Sequence, residues 1–218
     1  MARKIPEGEF RNKERTKTKL VDAVGEIIRT QGYTKLGVNN IATTAGVSKK
    51  LIYRYFESVD LLIATYVKSR DYWMGFDHLA KELAEEHKHD HGKKYLETIL
   101  KNLYDHMYEV PETQKIILWE ISEKSNLMRE ISLSREKFGA EIFAITDPFF
   151  EDTSVDIRAI CGLLLGGIYY QILHSNATGG SFCEIGAERE ERKARLFKSL
   201  QTIIKWSYDA AGKQKIKN

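Results

Sequence analysis

Proline is scarce, with only Pro6, Pro111 and Pro148 in 218 residues. Since proline is the strongest interruption a helix can meet, most of the chain is free to run as helix. Cysteine is scarcer still. Cys161 and Cys183 stand far apart, without CxxC or zinc-ligand spacing, which excludes a disulfide scaffold and leaves both expected as free thiols. Long apolar runs are missing as well. The longest nearly uncharged stretch, Ile160 to Ala177, holds three glycines, Gln171, His174, Ser175 and Asn176, and falls short of the roughly 20 apolar residues of a membrane span; a buried helix is expected there. The N-terminus is basic and lacks an apolar segment of the secretory kind, so a cytoplasmic location is expected, with no membrane partner. No P-loop, dinucleotide glycine fingerprint, serine elbow or catalytic carboxylate pair is present, and neither an enzyme nor a bound cofactor is expected.

What is there is helical. Glu, Lys, Leu, Ile and Ala abound, hydrophobic residues make up 42% and charged ones 30%, so a folded all-α protein of about nine helices is expected. Charge is unevenly spread. Residues 1–56 carry 12 Lys/Arg against 5 Asp/Glu, a net of +7, while the rest carries 22 against 26, a net of −4. Phosphate neutralisation dominates nucleic-acid affinity, so a basic head on a mildly acidic body points to DNA binding by the head.

Periodicity divides the head. Residues 1–11 show none and read as an arm. From Lys13, the apolar positions Leu20, Ala23, Val24, Ile27 and Ile28 predict a first helix that stops at Gly32. Val38, Ile41, Ala42 and Ala45 mark a second, and Ser48 is a suitable N-cap for a third containing Ile52, Tyr55 and Phe56. Ser58 opens a fourth, predicted to be long, with Leu62, Tyr66, Trp73, Phe76 and Leu83 on one stripe. Beyond a polar break at 85–94, a helix from Leu96 to Met107 is predicted, then one with Pro111 in its first turn. Further helices are predicted over 127–145, 155–174 and 188–211, separated at Asp147-Pro148 and at 176–186. Two domains follow: 1–57 as a three-helix DNA-binding head, and 58–218 as a larger helical body, to which the resemblance named below assigns ligand binding and dimerisation.

The segment from Val38 to Phe56 has the layout of a helix-turn-helix. Small Ala42 permits close approach of two helices, Gly46 allows an unusual backbone at the turn, Val47 fills the angle, and Ile52 and Phe56 anchor the second helix. That leaves Lys49, Lys50, Tyr53 and Arg54 outward, where Lys and Arg can donate to guanine edges in a major groove and Tyr can reach phosphates. Gly32-Tyr33, Ile41-Ala42, Ala45-Gly46-Val47-Ser48, Tyr53-x-Tyr55-Phe56 and Leu61-Leu62 together resemble the TetR family of one-component transcriptional regulators, over residues 13–66. The resemblance implies that Asn39, Lys49, Lys50 and Leu51 face bases and that Tyr53 and Tyr55 lie near phosphates; Ser48 and Arg54 complete the candidate DNA-binding set. This chain departs from the pattern at Leu36 and Gly37, where a capping Thr or Ser is common, at Lys50, often Gly, and at Val59, often Lys. Arg54 or the Lys13, Arg15 and Lys17 cluster are candidates to replace the lost phosphate contacts.

The body is rich in aromatic and sulfur side chains. Trp73, Phe76, Tyr104, Met107, Trp119, Tyr169, Tyr170 and His174 are the candidates to line a cavity for a small apolar or aromatic effector. By the resemblance, the last two helices pair with their copies in a homodimer, with Gly162, Gly166, Tyr170, Leu196, Leu200 and Ile203 at the interface. The partners are then a double-stranded palindromic operator, an effector and a second copy of the chain, with repression the commoner outcome in the family and helix four the lever between effector and head. Two other readings stay open: a metal-responsive regulator using His87, His89 and His91, and a constitutive DNA-binding protein with a solidly packed body.

Overall fold

A computed structural model describes residues 7–75, 88–186 and 188–216. Among these the protein is all-α, with no strand. The helices are α1 (Glu7–Thr30), α2 (Val38–Ala45), α3 (Lys50–Phe56), α4 (Val59–Arg70), α5 (Tyr72–Gly75), α6 (Lys93–Glu109), α7 (Pro111–Ser122), α8 (Asn126–Phe150), α9 (Ile157–Thr178) and α10 (Arg189–Lys215). Packing divides them into two compact units. One comprises residues 1–75 with 110–134, the other 76–109 with 135–218.

In the first unit, Leu20, Val24, Ile27 and Ile28 of α1 meet Ile41 of α2, Ile52 of α3 and Leu62, Tyr66 and Val67 of α4 in one core. That core also takes in Ile116 and Trp119 of α7 and Met128 and Ile131 of α8. By packing, therefore, the head does not end at residue 57. The first turn of α7 explains why. Thr113 is buried and donates its hydroxyl to the Arg70 carbonyl at the end of α4 (3.0 Å), and Lys115 Nζ donates to the Ile28 and Arg29 carbonyls at the end of α1 (3.4 and 2.5 Å). Terminal helix carbonyls have no partner within their own helix, so both donations satisfy groups that would otherwise need water. Glu112 adds an ion pair to Arg29 at 2.9 Å. Burial opposes ionisation of Glu112, yet the Arg29 hydrogen bond and the nearby Arg29 and Arg70 charges outweigh it and hold the carboxyl below its ordinary range.

Two glycines of this unit are needed for different reasons. Gly46 lies in the left-handed region (φ 64°, ψ 36°) and closes α2 with its N–H on the Ala42 and Thr43 carbonyls, while its surroundings are open. Gly25 sits mid-helix in α1, where a Cβ would come within 2.5 Å of the Tyr66 ring. At an exposed helical site, Gly→Ala stabilises by roughly 1 kcal/mol. Gly25→Ala should do the opposite, because the buried Tyr66 ring is wedged between α1 and the Arg70 guanidinium, 5.6 Å from its centroid. Overpacking of this kind costs about 1–3 kcal/mol. Thermal melting of Gly25→Ala should show a lowered Tm, whereas in a Tyr66→Ala background, itself destabilised by loss of the buried ring, the same change should cost nothing further; an unchanged or raised Tm of Gly25→Ala alone would place the two helices farther apart than described.

The long fourth helix expected from sequence is interrupted. Asp71 adopts an extended backbone (ψ 126°), and its buried carboxylate accepts from the Trp73 and Met74 N–H groups (3.0 and 3.3 Å), which starts α5 afresh. The continuation through Phe76 and Leu83 lies outside the described residues, as does His87. Other boundaries differ too. The expected arm at 1–11 gives way to helix from Glu7. Pro148, expected to separate two helices, lies inside α8, in its last turn, where a missing N–H forfeits one bond near a helix end. Arg158 holds Asp147 through two donors (2.6 and 3.1 Å), and Lys215 Nζ takes the Pro148 carbonyl (3.2 Å).

The second unit packs Tyr95, Ile99, Leu103, Tyr104 and Met107 of α6, Ile142 and Phe150 of α8, Ile168 and Ile172 of α9, and Leu200, Ile204 and Tyr208 of α10 on its inside. Helix α9 is long and apolar enough by length and composition to cross a membrane, and only 28% of its apolar window is buried. The expectation of a buried helix is thus met on one side only. Cys161, Gln171 and Ser175 turn inward, whereas Leu163 is 78% exposed and Tyr170 about half.

Candidate nucleic-acid interface

Helix α3 is seven residues long and fixed at both ends. Ser48, expected as its N-cap, lies one residue too early: Lys49 holds the cap position without a side-chain hydrogen bond, while Ser48 Oγ accepts a long bond from the Lys50 N–H (3.4 Å) and the Ser48 carbonyl accepts from Leu51 N at 2.9 Å. Behind it, Glu57 takes a positive φ of 67° and returns its N–H to the Tyr53 carbonyl, after which Ser58 caps α4 by accepting from Leu61 N (3.1 Å). Ile52 is wholly buried, which locks the rotation of α3 about its axis. Residues three and four positions apart then share the opposite face. Lys49, Lys50, Tyr53 and Arg54 all lie exposed there, as expected from sequence.

The remaining candidates divide. Asn39 is exposed on α2, and Leu51 is half-buried at the root of α3. Tyr55 is also half-buried and lies between two cations, with Lys13 Nζ 5.9 Å and Arg54 Cζ 5.7 Å from its ring centroid. Sequence reasoning passed over Thr43, which is exposed one turn beyond Asn39 on the same side of α2 and could have been found from that four-residue spacing. Gly37 provides no side-chain cap to α2. Asn40 braces the helix instead, donating its amide to Gln31 Oε1 (2.9 Å) and the Lys35 carbonyl (3.0 Å). Val59, the other departure, begins α4 half-buried against the head core.

The expected effector residues fall in both units. Trp73 and Trp119 belong to the first unit, where Trp119 stacks on Tyr33 at 5.2 Å and lines, with Tyr33, Leu36, Ile63 and Leu127, a cleft of about 510 Å³. Tyr104, Met107, Tyr169, Tyr170 and His174 belong to the second. Tyr104 and Met107 are fully buried; the Tyr104 hydroxyl donates to the Arg189 carbonyl (3.2 Å), and burial raises its pKa. Tyr170 and His174 pack against Phe182 at 4.8 and 5.4 Å.

Among the expected interface residues, Gly162, Gly166, Tyr170 and Ile203 are exposed and Leu196 is half-buried. Leu200 turns inward and is buried in its own chain, because it shares the stripe of Ile204, Tyr208 and Ala211. Trp206, 65% exposed, takes the outward place instead. Of the candidate metal ligands, His89 is exposed, and the His91 ring stacks on Phe149 at 4.6 Å. Among the described residues no group of three or more His, Cys, Asp or Glu is placed to hold a metal ion.

Comparison with known proteins places the head. Residues 17–64 match the family model described as bacterial regulatory proteins, tetR family. Three solved structures share the fold across most of the chain. A candidate fatty acid metabolism regulator of Clostridium perfringens is 16% identical, with a TM-score of 0.61 over 85% of this chain and 96% of that one. A transcriptional regulator of Aquifex aeolicus is 21% identical, with a TM-score of 0.58 over 86% and 99%. A tetR-family transcriptional regulator of Streptomyces coelicolor is 14% identical, with a TM-score of 0.55 over 91% and 86%. No curated protein matches the chain in sequence.

Proposed function

We propose that this chain, whose residues 17–64 match the tetR-family model and whose fold recurs in solved transcriptional regulators, is a ligand-responsive repressor released from a palindromic operator by a small apolar or aromatic molecule. The observation that carries the DNA-binding half is the rotation of α3: a fully buried Ile52 on one side, and Lys49, Lys50, Tyr53 and Arg54 in solvent on the other. Lys and Arg supply base-edge donors, and Tyr53, with Tyr55 beside Lys13, supplies phosphate contacts that fix register.

The chain acts as a homodimer in this reading. Among the described residues, a Cβ at Gly162, Gly166 or Gly167 would meet nothing within 4 Å beyond its own stretch of helix, which leaves room there for a second backbone. They lie on the exposed side of α9 with Leu163 and Tyr170, and Ile203 and Trp206 add apolar surface on α10. Helix-turn-helix dimers of this kind read half-sites about 34 Å, or one turn of DNA, apart.

Control follows from linkage, since an effector lowers operator affinity only by its preference for the form with misplaced recognition helices. The first turn of α7 suits the transmission. It holds the terminal carbonyls of α1 and α4 together through Lys115 and Thr113, so a shift of α7 moves both helices that carry the α2–α3 pair. Selection of genomic fragments by the purified protein tests the whole reading: an enriched inverted repeat with half-sites one helical turn apart is expected, and fragments without common sequence would refute it.

A further inference from the structure

Arg192 lies in the first turns of α10 and is 1% exposed, the most deeply buried cation among the described residues. Its terminal nitrogens donate to the Tyr108 hydroxyl of α6 and the Ser175 hydroxyl of α9, each at 2.5 Å. Both partners are neutral. Among the described residues no carboxylate is within ion-pair distance, because those nearby in sequence and space are engaged elsewhere. Asp105 pairs with Lys193 and lies 3.7 Å from Arg189, Glu190 lies 3.8 Å from Arg189, and Glu188, exposed, accepts the Glu191 N–H at the start of α10 and feels the Arg192 charge only from beyond ion-pair distance. A guanidinium withdrawn from water without a counter-charge is expensive, and proteins ordinarily pair it.

A second polar group is stranded on the same side. Gln171 precedes Ser175 by one turn on the inner face of α9, is 7% exposed, and its side-chain oxygen is buried without a hydrogen-bond partner. Its amide can present either an acceptor or a donor by turning over. Tyr108, which accepts from Arg192, is one of a run of aromatic rings: Tyr104 lies 5.1 Å from Tyr108 and 5.6 Å from Phe197, centroid to centroid.

We propose that Arg192 is the anchor for a carboxylate, and that the effector of this protein is an amphipathic or aromatic monocarboxylate whose head group sits between Arg192, Ser175 and Gln171. One buried positive charge calls for one negative charge, which selects a monoanion. Guanidinium donors left over from Tyr108 and Ser175 match the two oxygens of a carboxylate, and the aromatic rings suit an apolar remainder. The proposal rests on the reading of the second unit as an effector sensor, and it names the chemistry of that effector.

The test is thermal unfolding of the full-length protein and of Arg192→Met in acetate, benzoate and octanoate, against chloride at equal ionic strength and against the corresponding neutral amides. At least one carboxylate should raise the Tm of the parent saturably, its amide should not, and Arg192→Met should abolish the response. A purely structural Arg192 would instead lower the Tm of the variant equally in every buffer and leave the carboxylate response intact. If Arg192→Met does not fold, Arg192→Lys keeps the charge without the planar fork, and should weaken the carboxylate response at least tenfold. Carboxylates no better than chloride on the parent, or an undiminished response in the folded variant, overturn the proposal. Fragment binding measured in the same chloride buffer separates the two readings: a parent that binds no DNA removes the regulator, whereas the Tm response alone decides the anchor.

Discussion

Replacing Lys49 and Lys50 together by alanine should cost the protein its operator while leaving its fold intact. Each lysine that reaches a base edge is worth about 1–3 kcal/mol of specific binding. At about 1.4 kcal/mol per factor of ten, the pair is worth at least roughly 30-fold in affinity. Neither side chain forms an ion pair or side-chain hydrogen bond among the described residues, and both are exposed, so Tm should be unchanged. Fluorescence anisotropy with a selected fragment and a scrambled control measures both parts of the effect. The gap between the two affinities should narrow in the double variant. Equal loss on both DNAs would reassign the lysines to phosphates.

The second large effect is expected from one leucine of the second unit. Leu163 is 78% exposed beside Gly162, Gly166 and Gly167, on a helix most of whose apolar window is unburied. In a monomer, Leu163→Glu is a harmless surface change. In a dimer it places a carboxylate, repeated by symmetry, within an apolar contact. Analytical ultracentrifugation should therefore show a dimeric parent and a monomeric variant with unaltered helical content. Operator affinity should fall by about 10²–10⁴, since two linked heads bind far better than one. A monomeric parent, or a variant that stays dimeric, would remove α9 from the interface.

Local chemistry was legible in the sequence, and long-range packing was not. Gly32 ends α1, Ser58 caps α4, Pro111 opens α7, and the Ala42-Gly46-Val47 turn sets α2 against α3, each through residues within a few positions of one another. The apolar spacing that predicted α3 also fixed which of its residues face solvent, and the DNA-binding candidates could be chosen on that basis. Asp71 shows the limit of such reasoning. An acidic residue on a periodic stripe reads as a solvated position, yet here it is buried and restarts the helix through its own carboxylate.

Residues 110–134 could not be assigned to the head, because their evidence is the meeting of Trp119 with Tyr33 and of Thr113 with Arg70, pairs far apart along the chain. Nor could periodicity reveal Arg192, whose neighbours in sequence are charged and whose burial arises from Tyr108 and Ser175 on two other helices. Leu200 turned to the side its own chain covers for a simpler reason. A helix that is apolar on two faces gives no signal for which one its own chain covers.

The central claim is that the outward side of α3 enters DNA, and lysine acetylation read by mass spectrometry tests it most directly. In complex with a selected fragment, Lys49 and Lys50 should be strongly protected, and the exposed Lys198 and Lys205 of α10 should react as in the free protein. Lys49 and Lys50 reacting at the same rate with and without bound DNA would contradict it.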